Sequence, residues 1–356
     1  MISSDSRMNP KILVTGGSGF LGKAIVKELL DPASPLQPSL VRIFDLNPFT
    51  GLQDVRLEAV AGDIRDASAV AEACRGIDLV IHSAAVVDWG THPGEEVYSV
   101  NVGGTGNVIG GCLEHRVGCL VFTSSLDAVF GGKPLAGIDE SLPYPDHHPN
   151  MYCRSKCLAE KLVLESNRPG VLATCVLRPA DIYGGGDPYH IGSLISMARK
   201  GFYVRLGDGS AKSQHVYVGN MAWAHVLAGR SLLAGNPGIA GRVYFITDGP
   251  PANFFTFYDR FVEGCGYRIR PKNFHIPRPV AYAMGLVSEW TAAAMRPLKR
   301  YTPKFSRFAV IYTCSDFTFT AARAKHDFGF EPKYAAEASF RLTVDHYRGT
   351  VSGAAG

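Results

Sequence analysis

Residues 11–30 read KILVTGGSGFLGKAIVKELL. The apolar run KILVT ends at a glycine, which fits a buried parallel strand. FLGKAIVKELL carries its apolar residues at helical spacing. Gly16, Gly19 and Gly22 lie between the two patterns. Gly16 allows a tight turn, Gly19 lets backbone approach a pyrophosphate, and Gly22 lets the helix pack on the sheet with its N-terminal N–H groups facing the phosphates. A glycine triplet alone also fits an ordinary strand–helix turn. Its context adds weight: Asp45 ends the next apolar run, LVRIFDL, 23 residues after Gly22. A carboxylate there bonds ribose hydroxyls and repels a ribose phosphate, which predicts NAD rather than NADP.

The pattern repeats outward from this unit. RLEAVAGDI, DLVIHSAA, CLVFTSS and VLATCVLRP read as strands; ASAVAEACR, EEVYSVNVGGTGNVIGGCLEH and MYCRSKCLAEKLVLES read as helices. Such alternation predicts an α/β fold, a doubly wound parallel (Rossmann) sheet. After Pro179 the alternation fades. A helix is expected at 190–200, and HVYVGNMAWAHVLAGRSLL (215–233) reads as strand, turn and helix returning to the main domain. Two helical patterns near 320–327 and 335–348 close the chain. The expected division is an NAD-binding domain over 1–178, rejoined by 215–247, and a smaller C-terminal substrate lobe from 179–214 and 248–356. That lobe is placed over the carboxyl ends of the strands, where such sheets bind ligands.

The 356 residues are 46% hydrophobic and 19% charged, which excludes a disordered chain. A net charge of +4, spread without an aromatic-basic motif, argues against nucleic acid as a partner. Eight cysteines without Cys-x-x-Cys spacing predict reduced thiols in a cytoplasmic setting and no metal site. The first residues lack an apolar run, so no signal peptide is expected, and Met8 is a second candidate start. The stretch 279–295, PVAYAMGLVSEWTAAAM, is interrupted by Glu289 and followed by Arg296, Lys299, Arg300, Lys304 and Arg307. Two readings stay open for it: a buried helix with a solvated basic tail, or an interfacial helix against anionic lipid.

Tyr152 and Lys156 stand at i and i+4 in NMYCRSK, so on a helix they share one face. A tyrosine with a pKa near ~10 is a poor base, and a nearby cation lowers that value. The pair is expected to move a proton and to touch the cofactor, with Lys156 also reaching the nicotinamide ribose. Alone, the spacing also fits a surface helix. Ser124 and Ser125 end a strand on the same edge, and spacing does not choose between them as donors to a substrate oxygen. No Gly-x-Ser-x-Gly elbow surrounds either, which excludes a serine hydrolase. Asp63 and Ile64 are placed against an adenine ring, with a helix cap as the alternative for Asp63. Ser83, Ala84 and Ala85 are small enough for a dinucleotide to lie close, or for tight packing. Cys153 and Cys157 are read as packing residues; Asp88 and Trp89 line the substrate side or are buried.

These residues resemble the extended short-chain dehydrogenases/reductases. The marks are TGGSGFLG, Asp45, GDI at 62–64, Asn101 in NVGGT, TSS at 123–125, YCRSK at 152–156 and LRPADIYG at 177–184. Within that group the chain is most similar to the 3β-hydroxysteroid dehydrogenase family, including sterol-4α-carboxylate 3-dehydrogenases. HSAAVVDWG, TSSLDAVFGG, VYVGNMAWAHVLAGRSL and FTFTAARAKHDFGFEPKY carry that likeness. The resemblance implies that Ser125 is the catalytic serine and that Asn101 completes an Asn-Ser-Tyr-Lys set, supporting the lysine through water. It places Phe20, Leu21 and Pro179 on the cofactor side with the glycines.

The implied reaction is NAD-dependent oxidation of a sterol or steroid 3β-hydroxyl to the ketone. A substrate with a carboxylate on the neighbouring carbon could then lose carbon dioxide. Rival readings are an NAD(P)H-dependent reductase of 2-alkyl-3-oxoacids or another bulky ketone, a nucleotide-sugar epimerase, and a non-catalytic NAD-sensing protein. The Tyr-x-x-x-Lys pair argues against the last. Animal steroid enzymes of this kind carry a clear membrane-anchoring stretch, and 279–295 is shorter and broken. The expected partners are an apolar, sterol-like small molecule, a membrane surface touched peripherally through 279–307, and a second copy of the chain as a homodimer.

Overall fold

A computed structural model describes residues 9–88, 94–271, 273–295 and 306–352 of the protein. Seven strands form its main sheet: β1 Lys11–Thr15, β2 Leu40–Asp45, β3 Leu57–Ala61, β4 Leu79–His82, β5 Cys119–Thr123, β6 Ala173–Pro179 and β7 Arg242–Ile246. Their order is β7-β6-β5-β4-β1-β2-β3, and every neighbouring pair is parallel. β4 and β5 are buried along their whole length, as strands covered on both faces must be. The order turns back at β1, which pairs with β2 on one side and β4 on the other. Beyond the carboxyl ends of β1 and β4 lies the crevice where such sheets hold ligands.

The helix Phe20–Leu30 buries Ile25, Val26, Leu29 and Leu30 and packs against the helix Val218–Leu233. Ala67–Cys74 and Gly104–Glu114 pack together, and Cys74, Val108 and Cys112 join β1 and β4 residues in one core cluster. The carboxylate of Asp66 accepts the Ser68 and Ala69 N–H groups and caps Ala67–Cys74. The cap that Asp63 could have supplied therefore belongs to Asp66.

The long helix expected over 95–115 is interrupted. Gly94–Tyr98 and Gly104–Glu114 are α-helical, and Ser99–Gly103 between them is a π turn. Such wide turns are rare and mark places where a side chain is taken out of register. Asn101 stands at the centre of this one. Its carboxamide bonds the backbone of Val86, and the Thr105 hydroxyl donates to its carbonyl at 2.6 Å.

The strand expected at 215 forms, but not in the main sheet. His215–Tyr217 pairs in parallel with Asp181–Tyr183 as a separate two-stranded sheet. The helix after it, Val218–Leu233, covers β5 and β6. A second core begins where β6 ends and gathers Tyr183, Ile191, Leu194, Tyr203, Tyr258 and Phe261. Ile191–Arg199, Phe254–Gly264 and Ala336–Ser352 are its helices, while Ala322–Phe328 packs on β7 in the main core.

Arg278–Met295 is one continuous helix. Its small residues Ala281, Gly285 and Ala292 face inward, while Val280, Met284, Val287 and Trp290 are exposed, Trp290 by 68%. A Cβ on Gly285 would lie 2.8 Å from the Arg307 backbone nitrogen, so the close approach explains the glycine. Glu289 does not break this helix. It accepts the Arg307 backbone N–H at 2.8 Å and its Nε at 2.7 Å, pinning the helix Arg307–Thr313. A fully buried helix is thus excluded, because the large apolar side chains point out. Arg296, Lys299, Arg300 and Lys304 lie outside the described residues, as does Trp89. Among the described residues no helix is long and apolar enough to cross a membrane.

Candidate active site

A cavity of about 530 Å³ follows the carboxyl edge of the sheet. Gly16, Gly19, Phe20, Leu21, Gly22, Asp45, Asp63, Ile64, Ser83, Ala84, Ala85 and Pro179 all line it. Gly16 has φ +72°, and a Cβ there would lie 2.7 Å from the Ala84 backbone. A Cβ on Gly22 would strike the Gly16 carbonyl. The glycines are thus required by close approach of the backbone to itself, leaving a shallow cradle before the helix N-terminus. Asp45 accepts the Ser18 N–H at 3.0 Å and the Asn47 N–H at 2.8 Å, which holds its carboxylate at the rim of that cradle. Asp63 is gripped by the Arg65 guanidinium at 2.5 Å, which keeps its carboxyl below the usual range. The Ser83 hydroxyl donates to the Thr15 carbonyl at 2.8 Å, so it is turned away from the cavity. A cradle that any Cβ would fill, an acid at the end of β2 and small residues at the end of β4 fit a dinucleotide.

The other end of the cavity holds Ser125, Tyr152 and Lys156. Asn150 caps the helix Met151–Glu165 through the Cys153 N–H at 2.8 Å, which sets Tyr152 and Lys156 in its first two turns. Lys156 donates to the Thr123 carbonyl at 2.6 Å and sits 4.6 Å over the Phe122 ring. Burial lowers its pKa to about 8, against the pull of Glu160 and Asp127. Thr123 is held in turn by His225. The Nδ1 of His225 faces the Met221 carbonyl at 2.9 Å and carries the proton, so Nε2 accepts from the Thr123 hydroxyl at 2.8 Å.

The two serines divide their work. Ser124 donates to the buried carboxylate of Glu160 at 2.5 Å, which Tyr144 and Arg178 also bond. Ser125 donates to Asp127 at 2.7 Å. The phenol of Tyr152 is pushed well above its usual range by burial, then by the Asp127 carboxylate, against a hydrogen bond with Ser125. The lowering expected from Lys156 is therefore not what these side chains produce. The ammonium donates to the Thr123 carbonyl, and the charge that weighs most on the phenol is the negative one of Asp127.

Asn101 is buried but does not line the cavity. Its side chain accepts the Val86 N–H at 2.8 Å and donates to the Val86 carbonyl and the Ser155 hydroxyl, both at 2.9 Å. It thereby ties the segment after β4 to the helix of Tyr152. A buried chain links it to the glycine-loop strand. The Thr105 hydroxyl donates to Asn101 and so accepts from His82 Nε2 at 3.0 Å, while His82 Nδ1 accepts from Thr15 at 2.7 Å. Burial lowers the pKa of His82 to about 3, which keeps it neutral. Cys153 and Cys157 are buried and their thiols pushed up by burial, in keeping with a packing role. Asp88 is buried and lines the cavity.

Sequence reasoning passed over Asp127, Asp181, Tyr189, His190, Phe308 and Tyr312, which complete the wall beyond Ser125. Asp127 and Asp181 stand inside the quoted TSSLDAVFGG and LRPADIYG, so a charged residue beside a catalytic motif was the available signal. Phe308 and Tyr312 come from a helix far along the chain, and no local pattern announces them.

Over residues 13–278 the chain matches the 3-beta hydroxysteroid dehydrogenase/isomerase family. It is 36% identical over 338 residues to the short-chain dehydrogenase/reductase family 42E member 1 of Mus musculus, covering 90% of this chain and 84% of that protein. It is 35% identical over 363 residues to the 3 beta-hydroxysteroid dehydrogenase type 7 of Homo sapiens, covering 96% and 97%. Among solved structures, the dTDP-glucose 4,6-dehydratase of Streptomyces venezuelae, determined with NAD bound, superposes with a TM-score of 0.73. That pair is 22% identical over 96% of this chain and 98% of the other, a likeness of fold.

Proposed function

This chain belongs to the 3-beta hydroxysteroid dehydrogenase/isomerase family and is an NAD-dependent oxidoreductase; from that premise we propose that it oxidises the 3β-hydroxyl of a sterol or steroid to the 3-ketone. The observation that carries this reading is the meeting of Ser125 and Tyr152 with the dinucleotide cradle in one cavity. Gly16, Gly19, Gly22 and Asp45 would hold the dinucleotide, with Phe20, Leu21, Asp63, Ile64, Ser83, Ala84, Ala85 and Pro179 around it. NAD supplies a hydride acceptor and a positive charge when bound.

The chain's own groups handle the substrate oxygen. Ser125 fixes it, and Tyr152, as the phenolate that the positive charge of bound NAD would favour, takes its proton at the phenol oxygen. A buried phenol beside Asp127 favours its protonated form. It is thus a strong acceptor once deprotonated, and the acid that the reverse reduction uses. Lys156 orders the end of β5 through Thr123 and adds a positive charge to the site. Asn101 acts at one remove, through Val86 and Ser155. The wall of Leu126, Ile182, Pro188, Phe308 and Tyr312 suits an apolar ring system.

A sterol is nearly insoluble in water, so its enzyme gains by taking it from a bilayer. The outward apolar face of Arg278–Met295, with Trp290 at 68% exposure, supports peripheral contact with an anionic membrane. Arg307 is already paired with Glu289. The charge for lipid would come from Arg296, Lys299, Arg300 and Lys304.

The test is cofactor reduction by the purified protein with 3β-hydroxysterols and 3β-hydroxysteroids, beside oxidation of NADH or NADPH with 2-alkyl-3-oxoacids and turnover of nucleotide sugars. NADH formation from the sterols alone supports the reading. Reduction of the oxoacids without sterol oxidation replaces it with the reductase.

A further inference from the structure

We infer that Asp127 and Asp181 make the substrate end of the cavity reject anions, so that the enzyme takes neutral alcohols and excludes substrates carrying a carboxylate beside the reacting carbon. This narrows the substrate class of the oxidation proposed above and rests on that reading. The relevant point is where the negative groups stand. Asp127 bonds the Ser125 hydroxyl at 2.7 Å, at the position where the substrate oxygen is fixed. A substituent on the carbon next to the carbinol therefore enters the field of that carboxylate.

Asp181 opens the short strand after β6 and lines the same wall. One of its oxygens accepts the Tyr312 hydroxyl at 2.7 Å. The other is buried with no hydrogen-bond partner among the described residues. The two carboxyls are near enough for Asp181 to oppose the ionisation of Asp127. A third carboxylate brought between them is opposed by both, in a medium where charges are poorly screened. A hydroxyl, a methyl or a ring carbon meets no such opposition, and a hydroxyl can donate to a carboxylate.

The cations offset this only in part: His190 pulls on Asp181 and Lys156 weakly on Asp127, and each is already engaged elsewhere. Among the described residues lining the cavity, Arg65, Lys156 and His190 face six carboxyls: Asp45, Asp63, Asp88, Glu96, Asp127 and Asp181. Arg65 is paired with Asp63 at 2.5 Å, at the adenine end. Lys156 is directed to the Thr123 carbonyl. His190 lies 3.5 Å from Asp187. Arg178, on β6, is bound to Glu160. An incoming carboxylate would have to draw one of these from its partner, and breaking a buried pair is costly.

The experiment uses the NADH-loaded enzyme, which cannot oxidise an alcohol, titrated through the cofactor's fluorescence. The ligands are a 3β-hydroxysteroid with a carboxyl on carbon 4 and its methyl ester. The ester is expected to bind at least about ten-fold more tightly. Asp181→Asn and Asp127→Asn, each isosteric, are expected to narrow that ratio at least about three-fold, because they remove charge and keep shape. Equal binding by the wild type, or a gap that neither variant narrows, overturns the inference. If the gap is present but NAD-loaded enzyme oxidises no neutral 3β-hydroxysterol, the proposed oxidation fails and the exclusion of anions stands.

Discussion

The ammonium of Lys156 rests 2.6 Å from the carbonyl of Thr123, the last residue of β5. It therefore braces the strand that presents Ser124 and Ser125, and reaches the chemistry through that strand as much as through its charge. His225 braces the same residue from the other side through the Thr123 hydroxyl. Tyr152 answers to a different neighbourhood, made of Ser125 and Asp127.

That division separates the two serines by measurement. Ser125→Ala removes the donor that shares the site with Tyr152, so turnover should fall by about two orders of magnitude with little change in melting temperature. Tyr152→Phe should fall at least as far while still binding NAD. Ser124→Ala takes one donor from the buried Glu160 carboxylate and should cost about 1–3 kcal/mol of stability with a smaller loss of turnover. Steady-state kinetics and thermal unfolding of the three variants check this. A Ser124 variant that kept full stability and lost turnover would show that the hydroxyls were assigned the wrong way round.

Asp45 stands at the rim of the glycine cradle, where the proposed function has it meet the ribose. Wild type should prefer NAD, and Asp45→Ala should reduce that preference at least about ten-fold, or ~1.4 kcal/mol. A nearby arginine added to the variant should shift it further toward NADP. Values of kcat/KM for both cofactors decide this, and a wild-type preference for NADP would contradict the role given to Asp45.

Asp127 should leave a mark on stability against pH. Its pKa is raised from 3.8 to about 6, chiefly by burial. The folded state therefore binds this proton more tightly than the unfolded state does. The stability so gained is complete below about pH 4 and is lost as pH rises through about 6. The shift corresponds to ~3 kcal/mol. Asp127→Asn cannot ionise, so its melting temperature relative to wild type should climb between about pH 4 and pH 6 and then level off. A difference that stays flat across that window would mean the carboxyl is not strained by burial.

The exposed face of Arg278–Met295 predicts salt-sensitive co-sedimentation with anionic vesicles. Trp290→Ser should weaken it while changing stability by no more than about 0.5 kcal/mol, since the side chain is 68% exposed. Arg296→Glu combined with Lys299→Glu and Arg300→Glu should abolish it at low salt. Equal recovery in the supernatant for wild type and both variants would leave the face without a membrane role.

The sequence alone determined the doubly wound sheet, the glycine cradle and the Tyr152–Lys156 pair. Each of these depends on near neighbours in the chain. A strand, a tight turn and a helix start within a dozen residues, and a four-residue spacing puts two side chains on one helical face. Asp45 was legible for the same reason, because strand ends follow from the apolar runs.

Other features needed the tertiary structure, since they depend on what a residue meets across the fold. Ser124 and Ser125 look alike until Glu160 and Asp127 are seen to claim one hydroxyl each. The helix around Asn101 looks regular until its carboxamide is seen bonding Val86, with the π turn that follows. Lys156 reads as the tyrosine's partner until the Thr123 carbonyl is found within its reach. Asp181 passes unremarked in the sequence until Tyr312, 131 positions away, is seen to bond it. Hydrogen bonds and buried charges act through space, and in this chain the partners that orient the site are mostly distant in sequence.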